Sequence, residues 1–132
     1  FKTNVVSLMT EWSNKKLVIK RNEKANLGGS MRLGSYPCFI SKNTLAHKIY
    51  KTSKINERHR HRYEVNPKFK NIIEKKGMKF SGISKDKNLL EIIENMNHPW
   101  FLAVQFHPEL KSKPFKPHPI FLSFIKNSYN MK

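Results

Sequence analysis

The run Trp100-Phe101-Leu102-Ala103-Val104-Gln105-Phe106 is apolar at all but one position and ends against His107-Pro108-Glu109. A short, nearly continuous apolar run is expected of a strand covered on both faces. Pro108 has no N–H to give to a ladder, so pairing is expected to stop there. A polar pair therefore stands at the end of a strand, where open α/β sheets carry their sites.

The rest of the chain supplies the layers. Val5 to Met9 and Leu17 to Arg21 read as strands joined by the polar Ser13–Lys16 stretch, and Leu27-Gly28-Gly29-Ser30-Met31-Arg32-Leu33-Gly34 reads as a glycine-rich loop. Thr44 to Tyr50 is an amphipathic helix, with Thr44 or Asn43 as its cap. Ile55 to Val65 is extended. Asn66-Pro67 starts a second helix, because Asn caps and Pro loses nothing in a first turn. Phe69, Ile72 and Ile73 form its apolar face and Gly77 ends it. Met78 to Ile83 and Leu89 to Ile93 are further strands. Pro119 to Tyr129 closes the chain as a helix with Phe121, Leu122, Phe124 and Ile125 facing inward. Strands in the middle and helices at the flanks give an α/β layered domain with an antiparallel hairpin region.

A length of 132 residues fits one domain. No apolar run approaches the roughly 18 residues of a membrane helix, and the start, FKTNVVSLMTEW, has neither the pattern of a signal peptide nor an initiator Met, as expected of a fragment or a processed chain. The single cysteine, Cys38, excludes an internal disulfide and a cysteine-based zinc site and fits a reducing, cytoplasmic setting. The formal charge is +17, a value that can signal a polyanion partner. The excess is 21 Lys against five Arg, scattered through a chain also rich in Asn and Ile. That is the pattern of a solvated surface under AT-rich coding, and no RNP, zinc-finger or basic-zipper motif points to nucleic acid.

Two stretches carry chemistry. In an extended segment, side chains at i and i+2 share a side, so His107 and Glu109 can pair. A carboxylate on one imidazole nitrogen fixes the tautomer and leaves the other to take a proton from a nucleophile, help worth about 10²–10⁴-fold. A purely structural His–Glu hydrogen bond fits the same residues. The second stretch is Glu57-Arg58-His59-Arg60-His61-Arg62-Tyr63-Glu64-Val65. Alternation puts Arg58, Arg60 and Arg62 on one side, able to hold carboxylate or phosphate, and His59, His61 and Tyr63 on the other. A charged strand paired to nearby glutamates is the competing reading. No further ligands at suitable spacing join His59 and His61, so no metal site is expected.

With these residues in view, the chain resembles the C-terminal part of the class I glutamine amidotransferase (glutaminase) domain of the CTP synthases. The resemblance rests on GGSMRLG at Gly28–Gly34, ERHRHRYEVN at Glu57–Asn66, FSG at Phe80–Gly82, EIIE at Glu91–Glu94, HPWF at His98–Phe101, QFHPE at Gln105–Glu109 and PHPIFLSF at Pro117–Phe124. QFHPE alone would indicate class I glutaminases generally; GGSMRLG with RHRHRYEVN narrows it. Ser30 stands where the family commonly has Thr. The resemblance implies a partial flavodoxin-like α/β domain over residues 1–132, with a central mixed sheet, flanking helices, a lid loop at about 27–36 and a catalytic segment at 104–110.

It also implies a function: hydrolysis of glutamine to ammonia, which a ligase uses with ATP to convert UTP to CTP in pyrimidine biosynthesis. His107 and Glu109 fall on the His and Glu of a Cys-His-Glu triad, Arg62 on a glutamine contact, and Arg32 and Arg58 on candidate contacts of an activating GTP. No cofactor is implied for these residues; ATP with Mg belongs to the parent enzyme, itself a homo-oligomer (tetramer) in the family. The implied partners are glutamine, the upstream glutaminase portion and the synthetase domain, without membrane or nucleic acid. The family's nucleophile sits on a glycine-flanked elbow, G-x-C-x-G, which Cys38 in Ser35-Tyr36-Pro37-Cys38-Phe39 lacks. The elbow is expected upstream of Phe1, so the chain alone is expected to be inactive. A non-catalytic relic, or a nucleotide- or polyanion-binding module, is the alternative.

Overall fold

The computed structural model describes residues 4–8, 31–84 and 88–130. The expected strand at Leu17–Arg21, its preceding turn and the Leu27–Ser30 part of the glycine-rich loop lie outside the described residues.

The longest hairpin joins β2 (Arg32–Ile40) to β3 (Lys54–His61), in register from Arg32 opposite His61 to Phe39 opposite Lys54. Between them lies α1 (Leu45–Tyr50). Thr44 caps it as expected: its hydroxyl accepts from His47 N at 3.1 Å and donates to Ser41 O at 2.7 Å. Both oxygens of buried Glu94 accept from the helix's first amides, Leu45 N and Ala46 N, each at 3.1 Å. An anion at the exposed donors of a helix start is favourable, and here it comes from a strand rather than from the helix.

Beyond β3 the chain bends at Arg62 into β4 (Tyr63–Val65), which pairs with β1 (Val6–Leu8) in a separate two-stranded sheet. Asn66 then caps a 3₁₀ turn, accepting from Lys68 N at 3.0 Å, and α2 (Lys70–Glu74) follows. Gly77, at φ 88°, closes this segment with the positive dihedral that glycine adopts freely. The expected apolar face of α2 holds only in part. Phe69 and Ile73 are half-buried, but Ile72 is exposed, because a five-residue helix turns too little to lay three side chains on one neighbour.

Three strands complete the larger sheet: β5 (Met78–Ile83), β6 (Leu90–Asn95) and β7 (Leu102–Val104). The order is β3-β2-β5-β6-β7, and each described pairing is antiparallel, so the parallel component of the expected mixed sheet is not among the described pairings. The strand expected over Trp100–Phe106 pairs only at Leu102–Val104, at the sheet edge. It is not covered on both faces: Ala103 is exposed and Leu102 and Val104 are half-buried.

The core gathers Cys38, Ile40, Ala46, Ile55, Ile92, Phe106 and Ile120, with Trp100, Leu102 and Val104 against it. Ile120 is the one core side chain from α3 (Pro119–Asn130). Phe121, Leu122, Phe124 and Ile125, expected to face inward, are 38–63% exposed. The helix meets the described body at Ile120 and at Trp100, whose Nε1 donates to Ser123 Oγ at 2.8 Å and whose ring lies 5.1 Å from that of Phe124. Among the described residues, no helix is long and apolar enough to cross a membrane.

Gly82 sits where β5 shifts register against β6. A Cβ there would lie 2.5 Å from Ile92 Cγ1 and 2.9 Å from Cys38 Sγ. Overpacking of this kind costs about 1–3 kcal/mol, so Gly82→Ala lowers the midpoint of urea unfolding by a corresponding amount.

Candidate active site

His107 and Glu109 come together. Their Nδ1 and Oε1 are 2.6 Å apart. The route differs from the extended segment that the spacing predicts. Residues Pro108–Leu110 form a 3₁₀ turn with His107 as its cap, at φ −110° and ψ 89°. The turn, not strand alternation, puts the carboxylate beside the ring, because Pro108 fixes its own φ and cannot continue a ladder.

Neighbouring contacts hold the turn. His107 N donates to Arg58 O of β3 at 2.8 Å, and Leu110 N donates to His107 O at 3.2 Å. Phe106 and Pro108, on either side of His107, are both buried. The imidazole itself remains over a third exposed and Glu109 more than half. A carboxylate can only accept, so the contact requires Nδ1–H. Nε2 is then the nitrogen that can accept a proton. The His107 hydrogen bond holds the Glu109 carboxyl below the usual glutamate range.

The arginines do not form one strip. Along β3 the alternation holds: Arg58 and Arg60 are exposed, and Glu57 and His59 are buried. Arg62 falls at the bend into β4 and is half-buried, away from that regular face. The pattern breaks there because β4 leaves the large sheet to pair with β1.

Arg32 departs further from expectation. It lies in β2, not in a lid loop, and its side chain is 4% exposed. One terminal nitrogen reaches Glu91 Oε1 at 2.8 Å, another reaches Glu64 Oε1 at 3.4 Å, and the guanidinium lies over the Tyr36 ring at 4.6 Å. The residues taken for a loop, Arg32 to Tyr36, pair in unbroken register with His61 to Glu57 of β3, and Gly34 takes its φ of 107° within that strand.

Two histidines extend this buried group. His61 donates from Nδ1 to Tyr63 O at 2.9 Å, and its Nε2 lies 2.8 Å from His59 Nδ1. Burial pushes the His61 ring down to about 4, so it is neutral at pH 7. A neutral His61 that donates from Nδ1 must accept at Nε2, and His59 Nδ1 therefore carries a proton. His59 Nε2 stands 3.2 Å from Glu91 Oε2, an ion-pair distance without hydrogen-bond alignment. The sequence spacing gave no warning of this group. The signal available was Leu89-Leu90-Glu91-Ile92-Ile93-Glu94, two glutamates inside an apolar strand, both of which are buried.

Cys38 is fully buried in the core, and burial together with Glu91 pushes its thiol far up from the ordinary range. A thiol so placed is not a nucleophile at neutral pH.

A histidine oriented by a carboxylate thus stands just past the end of the sheet's edge strand, with its backbone tied to β3. The class I glutamine amidotransferase family profile matches residues 7–127, and the chain belongs to that family. Within it, the similarity is to CTP synthases: 56% identity to that of Pelagibacter ubique over 97% of this chain, and 54% to that of Paramagnetospirillum magneticum over 92%. The chain spans about a quarter of the length of these curated relatives, 24% and 22%. The solved glutaminase domain of Trypanosoma brucei CTPS, with bound acivicin, superposes with a TM-score of 0.78 at 36% identity, covering 96% of this chain and 46% of that one. The chain thus corresponds to the C-terminal part of such a domain, with the α/β architecture expected of it.

Two outcomes follow. Arg32→Ala removes the cation shared by two buried carboxylates, so it lowers unfolding free energy by about 3–5 kcal/mol; a surface lid arginine would cost under about 0.5 kcal/mol. The Glu109 carboxyl titrates, by NMR, below a free glutamate, and His107→Ala returns it toward the ordinary value. Its folded pKa is depressed, so the contact's stabilisation is present above the unfolded pKa and lost as pH falls through the folded one. Because both groups are exposed, the effect on global stability is small.

Proposed function

We propose that the chain is the acid–base and substrate-clamp half of a glutaminase site of the CTP synthase kind. The observation that carries this is the 2.6 Å contact of His107 Nδ1 with Glu109 Oε1, which leaves Nε2 to act as the acceptor. Two features support it: the backbone anchor of His107 on Arg58 O, and the similarity to CTP synthases over nearly the whole chain.

The chemistry follows from these groups. His107 Nε2 takes the proton of a cysteine thiol, and the thiolate attacks the side-chain carboxamide carbon of glutamine. The resulting imidazolium returns its proton to the departing nitrogen, and ammonia leaves behind a thioester. His107 then deprotonates a water that hydrolyses the thioester to glutamate and frees the thiol. Glu109 holds the ring and offsets its transient charge. Arg62 binds the glutamine carboxylate as a guanidinium can. Cys38, buried and with its thiol pKa raised, is not the nucleophile, so the thiolate comes from residues outside these 132.

In the whole enzyme the ammonia converts UTP to CTP with ATP and Mg, in the cytoplasm and within a homo-oligomer. For an activating GTP, exposed Arg58 is the better placed of the two candidate contacts, since Arg32 is enclosed by Glu64 and Glu91. The exposed side of α3 and the outer side of β7 are covered by the remainder of the glutaminase domain, which fits the 46% coverage of the solved domain.

The test is complementation. Purified chain with glutamine releases no glutamate above background. Addition of the N-terminal part of a related glutaminase domain, bearing its cysteine, restores turnover. His107→Ala or Glu109→Ala abolishes the restored activity, and Arg62→Ala raises KM for glutamine at least about tenfold, the weight of a charge-assisted hydrogen bond. Turnover by the chain alone that His107→Ala removes, or an unchanged KM in the Arg62 variant, contradicts the reading.

A further inference from the structure

The carbonyl that receives His107 N, Arg58 O at 2.8 Å, belongs to the peptide unit joining Arg58 to His59. His59 is 1% exposed and is held from two directions. Its Nδ1 donates to His61 Nε2 at 2.8 Å along β3, and its Nε2 lies 3.2 Å from Glu91 Oε2. Glu91 belongs to β6, which is not adjacent to β3 in the sheet. Its other oxygen takes Arg32 at 2.8 Å, so the carboxylate that faces His59 is itself fixed.

The ring has little support from its own hairpin. Its cross-strand partner is Gly34, which offers no side chain to pack against. Two aromatic edges meet it instead. Tyr36 stands at 5.5 Å between centroids and 90° between planes, and Phe106 at 5.9 Å and 73°. Phe106 is buried and immediately precedes His107. His107 is thus reached from His59 by two routes: through the carbonyl that accepts from its amide, and through the side chain of the residue before it.

The His107–Glu109 contact needs such support. Both side chains are substantially exposed, and an exposed charged pair holds its own geometry weakly. The orientation of a site residue is then set by the groups packed and bonded around it.

We infer that His59 is a positioning residue for the His107–Glu109 pair: its contacts with His61 and Glu91 fix the Arg58–His59 peptide and the Phe106 ring, and through them the His107 imidazole. The consequence for catalysis rests on the glutaminase reading; the coupling between the two histidines does not.

The full chain is followed by NMR in two variants. His59→Phe keeps a ring against Phe106 and removes both polar contacts; Glu91→Gln keeps His59 and removes the charge that it faces. In each, the His107 amide exchanges with solvent faster by about tenfold more than that of Ile40, the weight of one hydrogen bond opened locally. The Ile40 amide, which donates to Ser53 O at 2.9 Å, reports the rest of the sheet. The Glu109 carboxyl, held low by His107, moves most of the way to its position in His107→Ala. Ile55→Val, a core change at the other end of β3, accelerates both amides alike and leaves the Glu109 titration in place. The same pattern in His59→Phe and Glu91→Gln marks a merely structural residue and overturns the proposal. Where neither variant folds, the native chain decides: a scalar coupling between His59 Nδ1 and His61 Nε2 is expected, and its absence overturns the proposal too. In the complemented glutaminase, His59→Phe lowers kcat about tenfold or more, the scale of a small misplacement. Complementation without any turnover contradicts the glutaminase reading and leaves the NMR result to decide the coupling.

Discussion

One buried cation ties the two sheets together. Arg32, from β2, reaches Glu91 in β6 of the large sheet and Glu64 in β4 of the small one. Neither carboxylate is solvated, and the desolvation cost of two such anions is tolerable only with a counter-charge between them. His59 and His61 prolong the group along β3 to the Tyr63 carbonyl. The bend at Arg62 is thus flanked by residues committed to this network on both sides.

The His107 turn is held by different means. Its neighbours Phe106 and Pro108 are buried, and its amide is spent on β3. Phe106 in turn meets the His59 ring edge-on, with centroids 5.9 Å apart. The His107 ring is therefore anchored through backbone and hydrocarbon, while its side chain stays over a third exposed. Precision of this kind comes from rigid supports around a site more than from the site's own two residues.

The described body leaves much apolar surface uncovered. The face of α3 bearing Phe124 and Ile125, and the β7 edge, are exposed. Such strand edges and faces favour association. They show why periodicity alone misjudged the inward side of α3. Apolar residues report that a face can be buried, not which element covers it.

Local chemistry made several elements readable from the residues themselves. Thr44 caps α1, Asn66-Pro67 opens the next helical turn, Gly77 closes it, and the alternation along β3 sorts exposed arginines from buried Glu57 and His59. The pairing of His107 with Glu109 was expected from their i, i+2 spacing, but the 3₁₀ turn at Pro108–Leu110 rather than strand alternation brings them together. What the tertiary structure alone decided was the fate of charges that meet across long stretches of chain. Arg32, read as part of a loop, became a buried counter-ion for glutamates 32 and 59 residues away, and Glu94 became the cap of a helix 48 residues distant. Sequence spacing fixes neighbours within a turn or along a strand. Ion pairs and caps between strands depend on register and on which groups lose their water, and those are settled only when the sheets close on one another.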